Sequence, residues 1–319
     1  MSLREQLEIA GLARTAAKET RAEEKAERAA AGKLKTLCIY HGNCADGFGA
    51  AWVVRKALGE DNVEFYPGVY QTEPPDVTGR DVVMVDFSYK RPVIAEMLQK
   101  AKSLTIIDHH KSAMEDLANV DIGAKCSVQI HFDLNHSGAM LAWLHYFGLT
   151  TPPALLRHIE DRDLWRFHMP ATREVQAALF SYPYDFKVWD TLMTTPIPEL
   201  FAEGAAIERK HFKDIEELLK VCQRRLNIGF CEVPAASLPY TMSSDAGHIM
   251  SKGEAFAACY YDTPAGRCFS LRSAEDGFDV SEIAKLYGGG GHKHAAGFTV
   301  PMSVADSFEI GAIKGANYA

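Results

Sequence analysis

The stretch LTIIDHH, residues 104–110, decides how this chain is read. Its first four residues form a short apolar run with β-branched members, and such a run reads as a strand buried on both faces. Strands of that kind belong to parallel sheets covered by helices on either side. The run ends in Asp108-His109-His110, which places one hard oxygen and two imidazoles at one edge of the sheet. Imidazole and carboxylate together suit Mn²⁺, Fe²⁺, Co²⁺ or Zn²⁺. Chain neighbours cannot all face one ion. One His is therefore expected to ligate, Asp108 to orient it, and the other His to face a substrate. Alone, the tripeptide is a weak signal and reads equally well as a polar loop.

Working outward, the same pattern recurs. Residues 82–85 (VVMV) form a second apolar strand that ends at Asp86, and residues 34–40 (LKTLCIY) form a third that ends at His41. A further strand is expected over 128–132. Helices are expected over 50–58, 92–101 and 137–147, the last with Ser137 as its N-cap. Strands alternating with helices give an α/β fold with a parallel sheet and helices on both faces. Ligands of such sheets bind beyond the carboxyl ends of the strands. Here three strands each hand over to polar residues at that end, around His41–Asp46, at Asp86 and at Asp108–His110.

Other segments add donors. Asp86 is the natural bridging carboxylate, with a turn or helix-capping role as its bland alternative. In HGNCADGFG, residues 41–49, an imidazole, the Cys44 thiol and the Asp46 carboxylate lie close together, and Gly47 and Gly49 are expected to let the loop turn tightly. In EDRDLW, residues 160–165, Asp161 is the better ligand candidate, while Asp163 is expected to bond a ligating His or Arg162. The late run GGGGHKHAAGF, residues 288–298, offers exposed backbone N–H groups to an anion, so Gly289, Gly290, Gly291 and His292 are candidate substrate contacts. Arg272, in SLRS, is a strand-borne guanidinium able to clamp a phosphate.

The chain has 319 residues with 47% hydrophobic and 24% charged content, which suits about two globular domains. Its formal net charge of −8 disfavours long polyanions but not small phosphorylated substrates at a metal centre. Seven cysteines without a C-x-x-C pair exclude a zinc ribbon and suit a reducing, cytoplasmic setting. No apolar run has transmembrane length. Residues 1–33 read as a charged, solvated helix or docking arm. Residues 34–195 form the main domain, 196–227 a helical linker, and 228–319 a smaller α/β domain. Within them, 256–261 and 267–272 read as strands and 280–286 as a helix.

The order His41…Asp46-Gly47, Asp86, Asp108-His109-His110, Asp161 and GGGGH resembles the DHH phosphoesterase superfamily with a C-terminal DHHA1 domain. The resemblance runs over about residues 35–300. It implies two divalent metal ions, usually Mn²⁺, with Co²⁺, Fe²⁺ or Zn²⁺ as alternatives. His41 and Asp86 would hold the first ion, and Asp46, Asp86, His109 and Asp161 the second. Asp108 would orient His109, and His110 would contact the scissile phosphate. Arg272 and the Gly288–His292 loop would grip another part of the substrate. One departure stands out. Many relatives have Asp-x-Asp in the first motif, where this chain has Cys44-Ala45-Asp46, so Cys44 is either a thiolate ligand or the mark of a weakened site.

The expected activity is hydrolysis of phosphate esters of nucleotides or short oligonucleotides, with no membrane partner and homodimerisation open. The alternatives are a non-catalytic nucleotide-binding sensor, a pyrophosphatase and a RecJ-like exonuclease. The acidic charge and the lack of a basic stripe favour short substrates over long DNA.

Overall fold

The computed structural model describes residues 34–305 apart from 43, 71, 119 and 121–123, so the expected N-terminal arm lies outside the described residues. The first sheet has five parallel strands in the order β2-β1-β3-β4-β5. They are β1 (Thr36–His41), β2 (Val63–Gly68), β3 (Asp81–Val85), β4 (Ser103–Asp108) and β5 (Ser127–Phe132). The helices between them are α1 (Ala45–Leu58), α2 (Arg91–Lys100) and α3 (Lys111–Leu117), and α4 (Gly138–Phe147) follows β5.

The period-2 alternation of the strands sorts two cores. Cys38, Val83, Val85 and Ile107 face α1 and α4, packing on Ala50, Val53, Ala139 and Trp143. Leu37, Ile39, Val82, Met84, Leu104 and Ile106 face the opposite side, where Ile94, Met97 and Leu98 of α2 cover them. The α/β architecture with helices on both faces is therefore as expected. Burial of both faces explains why these strands carry unbroken apolar runs.

The chain continues through α5 (Ala154–Asp163), α6 (Thr172–Phe180) and α7 (Phe186–Leu192) into the long α8 (Ile197–Cys222). A second, mixed sheet begins directly at Gln223, with strand order β10-β11-β9-β8-β7-β6. Its strands are β6 (Gln223–Ile228), β7 (Cys231–Ser237), β8 (Ala257–Thr263), β9 (Gly266–Arg272), β10 (Gly290–His292) and β11 (Ala295–Val300). Val280 and Ala284 of α10 (Val280–Lys285) pack on one face. Ile215 and Leu219 of α8, with Ala246 and Met250 of α9 (Ser243–Met250), pack on the other.

Two local expectations are corrected. Helix α1 starts at Ala45, not at 50, so Gly47 and Gly49 lie in its first turns rather than in a loop. Gly47 is needed for closeness, because a Cβ there would sit 2.3 Å from the His41 carbonyl oxygen. The late glycine run is also not a free loop, since Gly290 and Gly291 belong to β10 and pair with Gly297 and Ala296.

Candidate metal centre

The carboxyl ends of β1, β3 and β4 deliver their polar residues to one point. Asp86 follows β3 and remains in the ladder, its N–H donating to the Ile107 carbonyl at 2.9 Å. Its φ of 54° lies in the left-handed region, a costly conformation for a residue with a side chain. Helix α4 approaches so closely that a Cβ on Gly138 would lie 2.4 Å from the Asp86 Cβ. The strained turn and the missing side chain together let the Asp86 carboxylate stand between two donor sets.

On one side, the His41 Nδ1 lies 3.5 Å from Asp86 Oδ2. Donor atoms of His41, Cys44 and Asp86 all fall within 4.8 Å of one another. On the other side, His109 Nε2 lies 2.9 Å from Asp86 Oδ1, 3.6 Å from Asp46 Oδ2 and 3.5 Å from Asp163 Oδ2. Asp46, His109 and Asp163 form a second group within the same limit. Asp46 is fixed by the start of α4, where the N–H groups of Gly138 and Ala139 donate to its two oxygens at 2.6 and 3.0 Å. A carboxylate at a helix N-terminus also gains from the helix dipole.

The donor set fits divalent cations on two observations. Asp86 Oδ2 and Asp163 Oδ2 are buried without a hydrogen-bond partner. Buried acceptors are costly unless satisfied, and a cation satisfies them. The electrostatics agree. Burial, then the neighbouring Asp86 and Asp163 charges, push the Asp46 carboxyl well above the ordinary carboxylate range. Burial likewise pushes Asp163 up. Asp86 goes the other way: burial raises it, but the His109 hydrogen bond and the adjacent His41 imidazole outweigh this and hold it well below. Cys44, at the N-cap of α1, is pushed well up by burial and the adjacent carboxylates, so a thiolate there requires a cation.

Asp161 is not brought into this cluster. Its oxygens accept from the His168 N–H, the Met169 N–H and the Thr172 hydroxyl at 2.8, 3.0 and 2.6 Å. It stitches the turn between α5 and α6, while Asp163, two residues on, reaches His109. The helical rotation between the two positions separates them, and the sequence motif carried no sign of which carboxylate faced inward.

Asp108 is fully buried and takes another role than the one expected. Its Oδ1 accepts from the His110 Nδ1 at 2.7 Å and from the His109 backbone N–H at 2.7 Å, and its Oδ2 accepts from the Ser88 hydroxyl at 2.7 Å. The ring it orients is therefore that of His110, and the His109 Nδ1 has no partner. Burial raises the Asp108 carboxyl, but the His110 charge and hydrogen bond outweigh it and hold it below the ordinary value.

The second sheet closes over this centre. The His292 ring stacks on His110 with centroids 4.5 Å apart, and lies 4.6 Å from that of His109. Gly289, Gly290 and Gly291, expected as substrate contacts, do not line the cleft. Each permits close packing instead. A Cβ on Gly289 would meet the Gly297 carbonyl at 2.1 Å, and one on Gly290 would meet the Ser112 hydroxyl at 2.7 Å. The Gly291 N–H donates to that same hydroxyl at 2.9 Å.

Arg272 does line the cleft. Its guanidinium donates to Ser244 Oγ at 2.7 Å, Ser270 Oγ at 3.0 Å and the Leu271 carbonyl at 2.8 Å. Burial lowers its pKa to about 10, which still leaves it cationic at neutral pH. Between the metal cluster and Arg272 runs a cleft of about 960 Å³.

Residues outside the sequence motifs also meet here. Asp245 of α9 accepts from Arg173 at 3.1 Å, lies 3.4 Å from an Arg162 nitrogen and 3.0 Å from His211 Nε2. Trp165 stacks on His248 at 3.8 Å. These contacts tie α9 to the segment around α5 and α6. In the sequence, only Arg162 and Trp165 of EDRDLW lie in a segment singled out for chemistry.

No protein-family profile matches the chain. It is similar, at 28% identity over 290 residues, to the uncharacterized protein R106 of Acanthamoeba polyphaga mimivirus, with 82% of this chain and 66% of that protein covered. The chain thus spans just under two thirds of that relative's length. It is similar, at 23% identity over 313 residues, to the oligoribonuclease NrnB of Bacillus subtilis, with 86% of this chain and 77% of that protein covered. Among solved structures, it is similar to the pGpG-specific phosphodiesterase PggH from Vibrio cholerae, at 15% identity, 87% and 97% coverage and a TM-score of 0.44. The similarity to NrnB extends over most of the chain. Among the described residues no helix is long and apolar enough to cross a membrane.

Proposed function

We propose that this chain, which resembles the DHH phosphoesterases in both motif order and α/β fold, is a metal-dependent hydrolase of nucleotide or short-oligonucleotide phosphate esters. The observation that carries the reading is the position of Asp86. One oxygen faces the His109, Asp46 and Asp163 group, and the other faces His41 and Cys44. That is the placement of a carboxylate shared by two cations. Two divalent ions held there, Mn²⁺ foremost, would activate a water and neutralise phosphoryl oxygens.

The chain's own residues supply positioning. Asp108 holds the His110 ring by Nδ1, which leaves the other ring nitrogen free for a phosphoryl oxygen. Arg272 is held by two hydroxyls and a carbonyl and presents a fixed cation to a second phosphate. Phosphoryl transfer asks for little covalent help, so orientation and charge are the main requirements. Cys44 takes the place of a carboxylate in the first donor set and makes that site softer.

The test is hydrolysis of bis(p-nitrophenyl) phosphate with Mn²⁺ by the wild type and by Asp86→Ala. Loss of turnover together with loss of bound metal supports the reading. Full activity in the variant overturns it.

A further inference from the structure

Five large side chains that packing would ordinarily cover, Leu134, Phe180, Tyr184, Ile207 and Tyr240, are exposed by 42%, 49%, 41%, 37% and 62%. All five line the same cleft as the metal cluster. Single exposed apolar residues are ordinary. Their convergence on one cleft marks a contact surface. Both lobes contribute, since Phe180 ends α6, Tyr184 precedes α7, and Tyr240 opens a short 3₁₀ turn before α9. Trp165 lines the cleft as well, but its ring is already engaged by His248 and by the Arg162 guanidinium at 4.6 Å.

The cations of the cleft narrow the choice of occupant. Lys293 and Arg272 line it alongside the aromatic residues, as do Lys111 and Arg173, which are already paired with Asp279 and Asp245. Inorganic polyphosphate would use the cations and leave the rings idle. An apolar peptide would use the rings and leave Lys293 and Arg272 without an anion. A duplex would keep its base faces stacked out of reach. A chain of phosphates bearing unpaired aromatic bases uses both.

Resting on the phosphoesterase reading above, we propose that Phe180, Tyr184 and Tyr240 form a base-stacking subsite. It selects short single-stranded oligonucleotides over base-free phosphates. Leu134 and Ile207 extend its apolar edge.

The experiment compares a 5′-phosphorylated triadenylate with its abasic counterpart of equal length and charge, using full-length protein and Mn²⁺. Turnover is measured in parallel with binding of the fluorescently labelled oligomers. Stacking on aromatic side chains contributes roughly 1–3 kcal/mol per base, so the intact oligomer should be preferred at least about tenfold, mostly through KM. In the double variant Tyr184→Ala, Tyr240→Ala that preference should collapse; because Tyr184 also packs on Phe48 and Trp189, a melting curve checks that the variant is folded, and Tyr240→Ala alone, at a position 62% exposed, should already weaken the preference. Equal kcat/KM and equal binding for the two oligomers would overturn the subsite and leave the phosphoesterase reading standing. Base-dependent binding without turnover of either oligomer would support the subsite and overturn hydrolysis.

Discussion

The imidazole of His292, from the edge strand of the second sheet, stacks on that of His110 at the end of β4, with planes 20° apart and centroids 4.5 Å apart. One lobe thus places a side chain directly on the residue proposed to meet the scissile phosphate. Burial, then the charges of His110 and His109, push the His292 pKa well below its ordinary value, so it packs there as a neutral ring. His292→Ala is expected to lower kcat/KM at least about tenfold, or roughly 1.4 kcal/mol of transition-state stabilisation. Bound metal, measured by elemental analysis, should stay at the wild-type level. Unchanged kinetics would remove His292 from the site.

Asp161 and Asp163 should separate cleanly. Asp163→Asn takes an unpartnered buried oxygen from the His109 group and is expected to lower metal affinity and activity by at least about 10–100-fold. Asp161→Asn should keep bound metal and cost about 1–3 kcal/mol of stability, because three donors lose a charged acceptor. Metal titration and urea unfolding of both variants check the pair. A reversed pattern would restore Asp161 as the ligand.

Gly138→Ala tests the strained turn at Asp86. The added methyl would sit 2.4 Å from the Asp86 Cβ, so either α4 or the carboxylate must move. The expected cost is about 1–3 kcal/mol, read as a lower Tm, with a loss of bound metal beyond what the fall in stability explains. A neutral Gly138→Ala would show that α4 has room to give.

Asp245 gives a pH signature. Burial raises its carboxyl, but the His211 hydrogen bond and the Arg162 and Arg173 charges outweigh that and bring it to about 2 from its ordinary 3.8. A depressed folded-state pKa stabilises above the unfolded value and is lost as pH falls through the folded one. The stabilisation is therefore full above about pH 4 and drains away toward pH 2, and amounts to roughly 2 kcal/mol. Asp245→Asn should remove that increment between pH 5 and pH 2.5 in denaturant titrations, against the wild type. An identical acid profile in the two proteins would discount the ion-pair node.

What the sequence discloses follows from which forces are local. β3 and β4 carry unbroken apolar runs because both faces are buried, so Asp86 and Asp108 could be placed at strand ends from the pattern alone. The Ser137 cap of α4 is equally local, its hydroxyl accepting from the Met140 N–H. β6 (QRRLNI) was not legible, because it is an edge strand with one buried face and mostly polar residues. β7 is obscured by Pro234, which breaks the usual strand signature. The choice between Asp161 and Asp163 depends on helix rotation against β4, a tertiary matter. The late glycines look like an anion-binding loop in sequence; only the structure reveals that Gly290 makes room for Ser112 of the other lobe, while Gly289 and Gly291 make room for β11 beside them.

That contact reaches beyond the site itself. Among the described residues β10 is the outermost strand of the second sheet, with β11 on one side and no strand on the other. An exposed strand edge is a template on which another chain can add itself. The Ser112 hydroxyl, accepting the Gly291 N–H, covers that edge from the other lobe. Parting of the two lobes would therefore bare the Gly291 N–H at this edge as well as widen the cleft.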